Sequence, residues 1–123
     1  MKIRSYEDLE VWQKADRLAI RVYELTDSFP KAEQYILVSQ IRRAVISVPS
    51  NIVEGFNRGT KKEFISFLVI ARSSLAELRY QLQFSFKRRY ITGATLKSLL
   101  EEIEEIGRMI NGLIVSLRHS KHR

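Results

Sequence analysis

The chain has 123 residues, with 21 Lys and Arg against 14 Asp and Glu, a formal net charge of +7 at pH 7, and no Cys. A chain of this length suits one domain and buries roughly two-thirds of the surface that its unfolded form exposes. The lack of Cys excludes disulfides, Cys-ligated zinc, iron–sulfur clusters and thiol nucleophiles.

Four long segments carry apolar residues at alternating spacings of three and four, which places those residues on one stripe of a helix. In chain order, the stripes begin at Val11, Val38, Phe64 and Leu96. No segment of four or more residues alternates with period two between turn signals, as a strand would. The pattern predicts an all-α protein with helices over about 6–28, 31–54, 61–90 and 93–118, and a frayed basic tail at 119–123.

Local signals separate these four helices. Ser5 and Thr60 each begin a capping box, and Pro30 disfavours helix in the residue before it. Gly55 fits the left-handed position that ends many helices, and Gly93 interrupts the chain between the last two helices. Short connections make sequential helices antiparallel, so the predicted architecture of this single domain is an up-down-up-down four-helix bundle.

Few residue clusters in the chain could bind a metal or support catalysis. His119 and His122 are three residues apart, but they lie in the tail with no carboxylate nearby. The sequence has no Glu-x-x-His pair of the di-iron bundles, no phosphate-binding glycine loop and no evident general base. We therefore expect no enzymatic activity, no metal and no cofactor.

The chain also lacks the features of a membrane or secreted protein. No apolar run approaches the ~20 residues that a membrane span needs. The first residues lack the apolar core of a secretory signal. We therefore expect a cytoplasmic protein.

The positive charge is concentrated in the middle of the chain. Residues 1–36 have a net charge of −1, residues 37–98 of +8, and residues 99–123 of zero. A bundle would collect this excess on a face of helices two and three, where it attracts polyanions such as RNA or DNA. An acidic protein partner and a merely solvated surface are the alternatives. The candidate nucleic-acid-binding residues are Arg42, Arg43, Arg58, Lys61, Lys62, Arg72, Arg79, Lys87, Arg88 and Arg89.

Several aromatic and apolar residues lie outside the four stripes. Tyr80, Phe84, Phe86 and Tyr90 interleave with the basic run at 87–89, a combination that suits base stacking or, alternatively, a core or subunit interface. An apolar patch left exposed on a monomer commonly marks an interface, so we expect a homo-oligomer. The residues that indicate this patch are Trp12, Phe67, Ile70, Phe84 and Phe86.

The segment from Ser47 to Gly55 is the most unusual stretch of the sequence. Pro49 predicts a kink in helix two or an end to its regular part. Glu54 near a helix C-terminus opposes the helix dipole and needs a cation, for which Arg42, Arg43, Arg58 and Arg72 are candidates. Asn51 and Glu54 either fix the turn into helix three or contact a ligand directly.

The same segment, Ser47-Val48-Pro49-Ser50-Asn51-Ile52-Val53-Glu54-Gly55, carries a resemblance to a known family. With supporting stretches at 8–15, 29–30, 39–44, 67–72 and 77–78, and with Arg58, the chain resembles the four-helix-bundle proteins encoded in intervening sequences of bacterial 23S ribosomal RNA genes. The resemblance covers residues 8 to about 117. Ser73 departs from the family pattern, which usually has Gly there.

The resemblance implies a bundle that associates into a homo-pentameric ring, with nucleic-acid binding, RNA more than DNA, proposed for its basic surface. The family that the chain resembles has no established catalytic activity. A related bundle is the accessory protein of diversity-generating retroelements, which binds a reverse transcriptase and nucleic acid. That relation supplies the second hypothesis, a scaffold or accessory subunit for an acidic enzyme or nucleoprotein.

Overall fold

Four α-helices and two short 3₁₀ turns form the structure, a computed structural model that describes residues 3–120. The helices are α1 (Glu10–Thr26), α2 (Leu37–Phe56), α3 (Lys61–Lys87) and α4 (Gly93–His119), and the 3₁₀ turns are Tyr6–Asp8 and Lys31–Glu33. Residues 3–120 contain no strand, which confirms the all-α prediction. The tail at 121–123, including His122, lies outside the described residues.

The helices form a ring in which each contacts its two neighbours, α1 with α2, α2 with α3, α3 with α4, and α4 with α1. The connections are short, so sequential helices run antiparallel, as expected of a four-helix bundle. The predicted apolar stripes supply one core, and each fully buried Leu or Ile stabilises the fold by about 1.5–3 kcal/mol. Fully buried examples from the four helices are Leu18, Ile41, Leu78 and Ile110.

The first two helices begin later than predicted, because short 3₁₀ turns precede them. The capping box predicted at Ser5 is present: Ser5 Oγ accepts from the Glu7 amide at 3.2 Å, and Asp8 Oδ2 accepts from the Ser5 amide at 3.2 Å. It begins the first 3₁₀ turn, and α1 starts only after Leu9. Pro30 likewise precedes the second 3₁₀ turn, so α2 starts at Leu37.

The connection between α2 and α3 differs from the sequence expectation at Gly55. Pro49 is buried inside α2, and the helix continues beyond it to Phe56. No glycine in residues 3–120 has a positive φ, so the predicted left-handed role of Gly55 is wrong. Gly55 instead allows α2 to approach α3 closely. A Cβ at this position would lie 2.8 Å from Phe67 Cβ and 2.9 Å from Phe64 Cδ1, both on α3. We call this part of the bundle the 57–60 end.

The opposite part of the bundle, which we call the 88–92 end, contains the connection from α1 to α2 and the turn from α3 to α4. The Tyr90 hydroxyl donates to Glu33 Oε2 at 2.8 Å, and the Tyr90 ring packs against Phe29 at a centroid distance of 5.3 Å. These contacts join the two connections. They fix the position of the C-terminal end of α3, where the basic run at 87–89 lies.

Candidate nucleic-acid interface

Arg42, the first of the ten predicted cations, connects α1 to α2. Its Nη2 donates to Asp27 Oδ1 at 2.8 Å and to the Tyr23 carbonyl at 3.0 Å, and its Nε donates to Thr26 Oγ1 at 2.9 Å. Its guanidinium also lies 4.7 Å from the centroid of the Tyr23 ring. Arg42 therefore satisfies groups at the C-terminal end of α1, and most of its donors are already used.

Arg72 and Arg79 extend from α3 toward α4. Arg72 Nη1 donates to Asn111 Oδ1 at 2.9 Å, and Arg79 Nη1 lies 3.6 Å from Glu104 Oε2. Exposed contacts of this kind contribute about 0–1 kcal/mol to stability. The two arginines are seven residues apart, close to two helical turns, so both lie on the side of α3 that faces α4.

The cations of the 57–60 end are mostly paired. Arg58 lies 3.3 Å from Glu54 and 3.8 Å from Glu63, and its guanidinium lies 4.9 Å from the centroid of the Phe67 ring. Of the four cations proposed for Glu54, the structure thus places Arg58 beside it. Lys61 Nζ donates to the Ser120 carbonyl at 2.6 Å.

The cations at the 88–92 end have fewer ion-pair and hydrogen-bond partners among residues 3–120 than those at the 57–60 end. Lys87 and Arg89 are exposed, and within residues 3–120 neither side chain has an ion-pair or hydrogen-bond partner. Arg88 lies 5.7 Å from the centroid of the Tyr90 ring, and its interaction with Tyr90 raises the pKa of Arg88. The sequence has no Asp or Glu from 78 to 100, so no acidic side chain of this stretch offsets the charge.

The outward face of α3 separates these two ends. Lys62 and Lys87 lie on the same side of the helix, 25 residues and about 37 Å apart, and both are exposed. No cation lies on this face between them, which exposes Ser66, Ile70, Ser73, Glu77, Tyr80 and Phe84. The cations of this face therefore lie near the two ends of α3, and Arg72 and Arg79 lie on the side that faces α4. Arg43 stands apart on α2, exposed beside Tyr35 and Glu77.

Asn51, in the unusual segment, makes its hydrogen bonds within α2. Its Nδ2 donates to the Ser47 carbonyl at 2.8 Å and to Ser47 Oγ at 2.9 Å, and Ser47 Oγ lies 2.8 Å from Ser74 Oγ on α3. Asn51 thus orients a serine that connects α2 to α3. Together with the pairing of Glu54 with Arg58, these contacts favour a structural role for the segment over direct ligand contact.

The aromatic residues outside the stripes divide into two groups. Trp12 and Phe67 are half-buried, Trp12 against the Tyr6 ring at 4.9 Å and Phe67 beneath Arg58. Tyr80, Phe84 and Phe86 are exposed. Gln83, Leu96 and Thr92 lie around these rings, and the sequence did not predict that they would. The turn between α3 and α4 brings Thr92 and Leu96 to the rings, and no local sequence pattern shows such a contact.

Residues 3–120 contain no cluster of three or more His, Asp or Glu side chains that could hold a metal ion. His119 is exposed at the last residue of α4. In the same residues, no helix combines the length and the apolar character that crossing a membrane requires.

Comparison with known proteins agrees with the resemblance seen in the sequence. The family profile described as 23S rRNA-intervening sequence protein matches residues 7–112. A crystal structure from Bacteroides thetaiotaomicron VPI-5482, described as a protein with unknown function from the S23 ribosomal protein family, has a TM-score of 0.79 and 26% identity, covering 85% of this chain and 94% of that chain. No curated protein matches. Since the profile extends over most of the sequence, the chain belongs to the family of 23S rRNA-intervening sequence proteins.

Proposed function

We propose that this protein is a non-enzymatic RNA-binding protein that works as a homo-oligomer. The observation that carries the proposal is that Lys87 and Arg89 are exposed and have no ion-pair or hydrogen-bond partner within residues 3–120, in a stretch, 78–100, without acidic residues. The family is named for its link to 23S ribosomal RNA, so structured RNA is the first ligand to test.

The contacts of each cation predict how much it contributes to RNA binding. A cation that binds a phosphate releases counterions from the nucleic acid, and an unpaired cation does so without breaking an existing contact. Lys87, Arg89, Lys62 and Arg43 therefore contribute more to affinity than the cations that already have partners. Those with partners include Arg42, Arg58, Arg72 and Arg79.

The proposal for the oligomer depends on the 66–73 part of the outward face of α3, which does not include Tyr80 and Phe84. Ile70 is 47% exposed at the middle of this face, and the exposed residues Ser66 and Ser73 on either side have short side chains. A second copy of the chain can approach such a face closely and cover the isoleucine. In a pentameric ring, as the family resemblance implies, the same cations repeat, so individually weak RNA contacts add by multivalency.

RNA binding is tested by titrating the protein with a structured RNA, a matched DNA duplex and a single strand across a salt series. We expect log affinity to fall linearly with log salt, with a slope that counts phosphate contacts. The double variant Lys87→Ala/Arg89→Ala should lower the slope by about two. Arg72→Ala/Arg79→Ala removes the same charge from paired positions and is the matched control, with a smaller change expected.

Absence of binding at low salt by folded protein would contradict the proposal. The basic segment would then be a surface that faces solvent or a protein partner. A protein that co-purifies with the chain after nuclease treatment would favour the scaffold hypothesis in that case.

The oligomer is tested separately by native mass at micromolar concentration. Ile70→Lys should dissociate the assembly, whereas Ile20→Lys, on α1 at 54% exposure, should not. A native mass of one chain for the unchanged protein would contradict the oligomer without affecting the RNA-binding proposal.

A further inference from the structure

The C-terminal end of α3 contains a groove formed by two adjoining open depressions of about 490 and 310 Å³. Phe86 and Lys87 line both of them. We call their union the 80–96 groove, lined further by Tyr80, Gln83, Phe84, Arg89, Tyr90, Ile91, Thr92 and Leu96.

Three aromatic rings of this groove are accessible to solvent. Tyr80 is 64% exposed, Phe86 42% and Phe84 38%. Tyr80 and Phe84, one helical turn apart, have ring centroids 6.4 Å apart and planes tilted by 37°. Phe86 lies beside the start of α4, since a Cβ on Gly93 would be 3.6 Å from Phe86 Cε1. The groove therefore offers several flat apolar surfaces close together.

The cations of the groove give it the opposite charge to a phosphate backbone. Lys87 and Arg89 both line it, and within residues 3–120 their side chains have no ion-pair or hydrogen-bond partner. No acidic residue occurs in the stretch 78–100, and the carboxylate of Glu33, which accepts a hydrogen bond from Tyr90, lies beside the groove. A ligand that fits this surface is negatively charged and also presents planar rings.

The backbone holds Arg89 beside the groove in a fixed turn. Arg89 has φ 68°, the left-handed conformation that glycine adopts at less cost, and it is the one residue with positive φ in residues 3–120. Its amide donates to the Phe86 carbonyl at 2.9 Å, and the Tyr90 amide donates to the Ser85 carbonyl at 2.9 Å, as in a Schellman helix end. Arg89 thus occupies a position where the backbone conformation favours glycine, and it places a cation beside the groove.

We propose that the 80–96 groove binds single-stranded RNA, with bases stacked on Tyr80, Phe84 and Phe86 and phosphates contacted by Lys87 and Arg89. This inference rests on the proposed RNA-binding function and specifies its ligand. Exposed rings beside cations are typical of single-strand recognition, because an unpaired base can leave its neighbours and stack on a side chain. The paired bases of a duplex have no open faces along their length, so a duplex gains only the phosphate contacts.

The test compares three fluorescent probes at one salt concentration: an oligouridylate of about ten nucleotides, an abasic strand of the same length, and an RNA duplex. We expect the oligouridylate to bind more tightly than the abasic strand. Phe86→Leu and Tyr80→Leu should each weaken oligouridylate binding by about 5- to 150-fold and leave abasic binding unchanged. Lys87→Ala should weaken the binding of both strands.

Two controls accompany these variants. Tyr35→Leu changes a tyrosine that is 86% exposed outside the groove and should leave the preference for the oligouridylate over the abasic strand unchanged. Lys62→Ala changes a lysine on the same side of α3 at the 57–60 end, and it should not alter the preference for the oligouridylate. Thermal unfolding by circular dichroism checks that each variant is folded.

The outcomes separate this inference from the proposed function. If the oligouridylate and the abasic strand bind equally and both depend on Lys87, the stacking groove is wrong and RNA binding stands. If the duplex binds more tightly than either strand, the stacking groove is again wrong and RNA binding stands. If no probe binds, the proposed function fails and the groove fails with it.

Discussion

A Cβ atom on Gly55 of α2 would lie 2.8 Å from the Cβ of Phe67 on α3, closer than two side chains pack. The same Cβ would lie 3.2 Å from the Phe64 carbonyl, which cannot rotate away as a side chain can. Gly55 therefore sets the approach of α2 and α3, the helix pair in most extensive contact. The edge-to-face contact of Phe56 with Phe64, at 6.0 Å, packs beside it.

Replacing Gly55 with Ala should destabilise the protein by about 1–2 kcal/mol, because the crowding outweighs the higher helix propensity of Ala. Gly112→Ala is the matched control, since Gly112 is an exposed residue of α4 with nothing within 4 Å of its added Cβ. It should stabilise the protein by about 0.5–1 kcal/mol. Urea unfolding measures both free energies, and a change of the same sign in the two variants would contradict the role of Gly55.

Gly55 also shows where sequence reasoning succeeds and where it stops. The apolar spacing predicted four helices and their buried stripes, because helical period alone decides which side chains share a face. The position of Gly55 near a helix end suggested a left-handed cap. A side chain at position 55 is instead excluded by Phe64 and Phe67 on α3. The sequence of α2 alone does not show that these two residues lie so close.

Arg42 and Arg43 should respond differently to substitution although they are adjacent. Arg42→Ala removes hydrogen bonds to Asp27, Thr26 and the Tyr23 carbonyl and should lower the free energy of unfolding by about 1–3 kcal/mol. Arg43→Ala removes an exposed side chain without an ion-pair partner in residues 3–120 and should change it by less than about 0.5 kcal/mol. Chemical denaturation of both variants checks this difference.

RNA binding should show the reverse order for the same two variants, measured at a temperature where both are folded. Arg43→Ala should weaken binding, and Arg42→Ala should have the smaller effect, since its donors face α1. A larger loss of affinity in Arg42→Ala would contradict this assignment. Sequence reasoning identified the charge excess but could not separate the two residues, because it did not show which side of α2 faces α1.

The hydrogen bond from Tyr90 to Glu33 should stabilise the 88–92 end. Tyr90→Phe removes a donor that lies 2.8 Å from a half-buried carboxylate, and we expect a loss of about 1–2 kcal/mol. Glu33→Ala in the Tyr90→Phe background should cost little more, so a double-mutant cycle should show coupling between the two residues. Tyr80→Phe is the control, since the Tyr80 hydroxyl has no hydrogen-bond partner within residues 3–120. Additive losses at positions 33 and 90 would show that the hydrogen bond contributes nothing measurable.

Arg89→Gly should raise stability and lower RNA affinity at once. Glycine adopts the φ of 68° at this helix end without the steric cost of a Cβ, so we expect a gain of about 1 kcal/mol in the free energy of unfolding. The same change removes a cation from the 80–96 groove and should weaken binding of the oligouridylate and the abasic strand alike.

Arg88→Gly is the matched control for this variant, because it removes the same charge from the adjacent residue, where φ is −80°. It should give no gain in stability, since that conformation suits any residue. Equal stability changes in the two variants would show that the left-handed turn costs Arg89 nothing. A stabilised Arg89→Gly protein with undiminished affinity for both strands would show that Arg89 occupies the glycine position for a reason other than RNA binding.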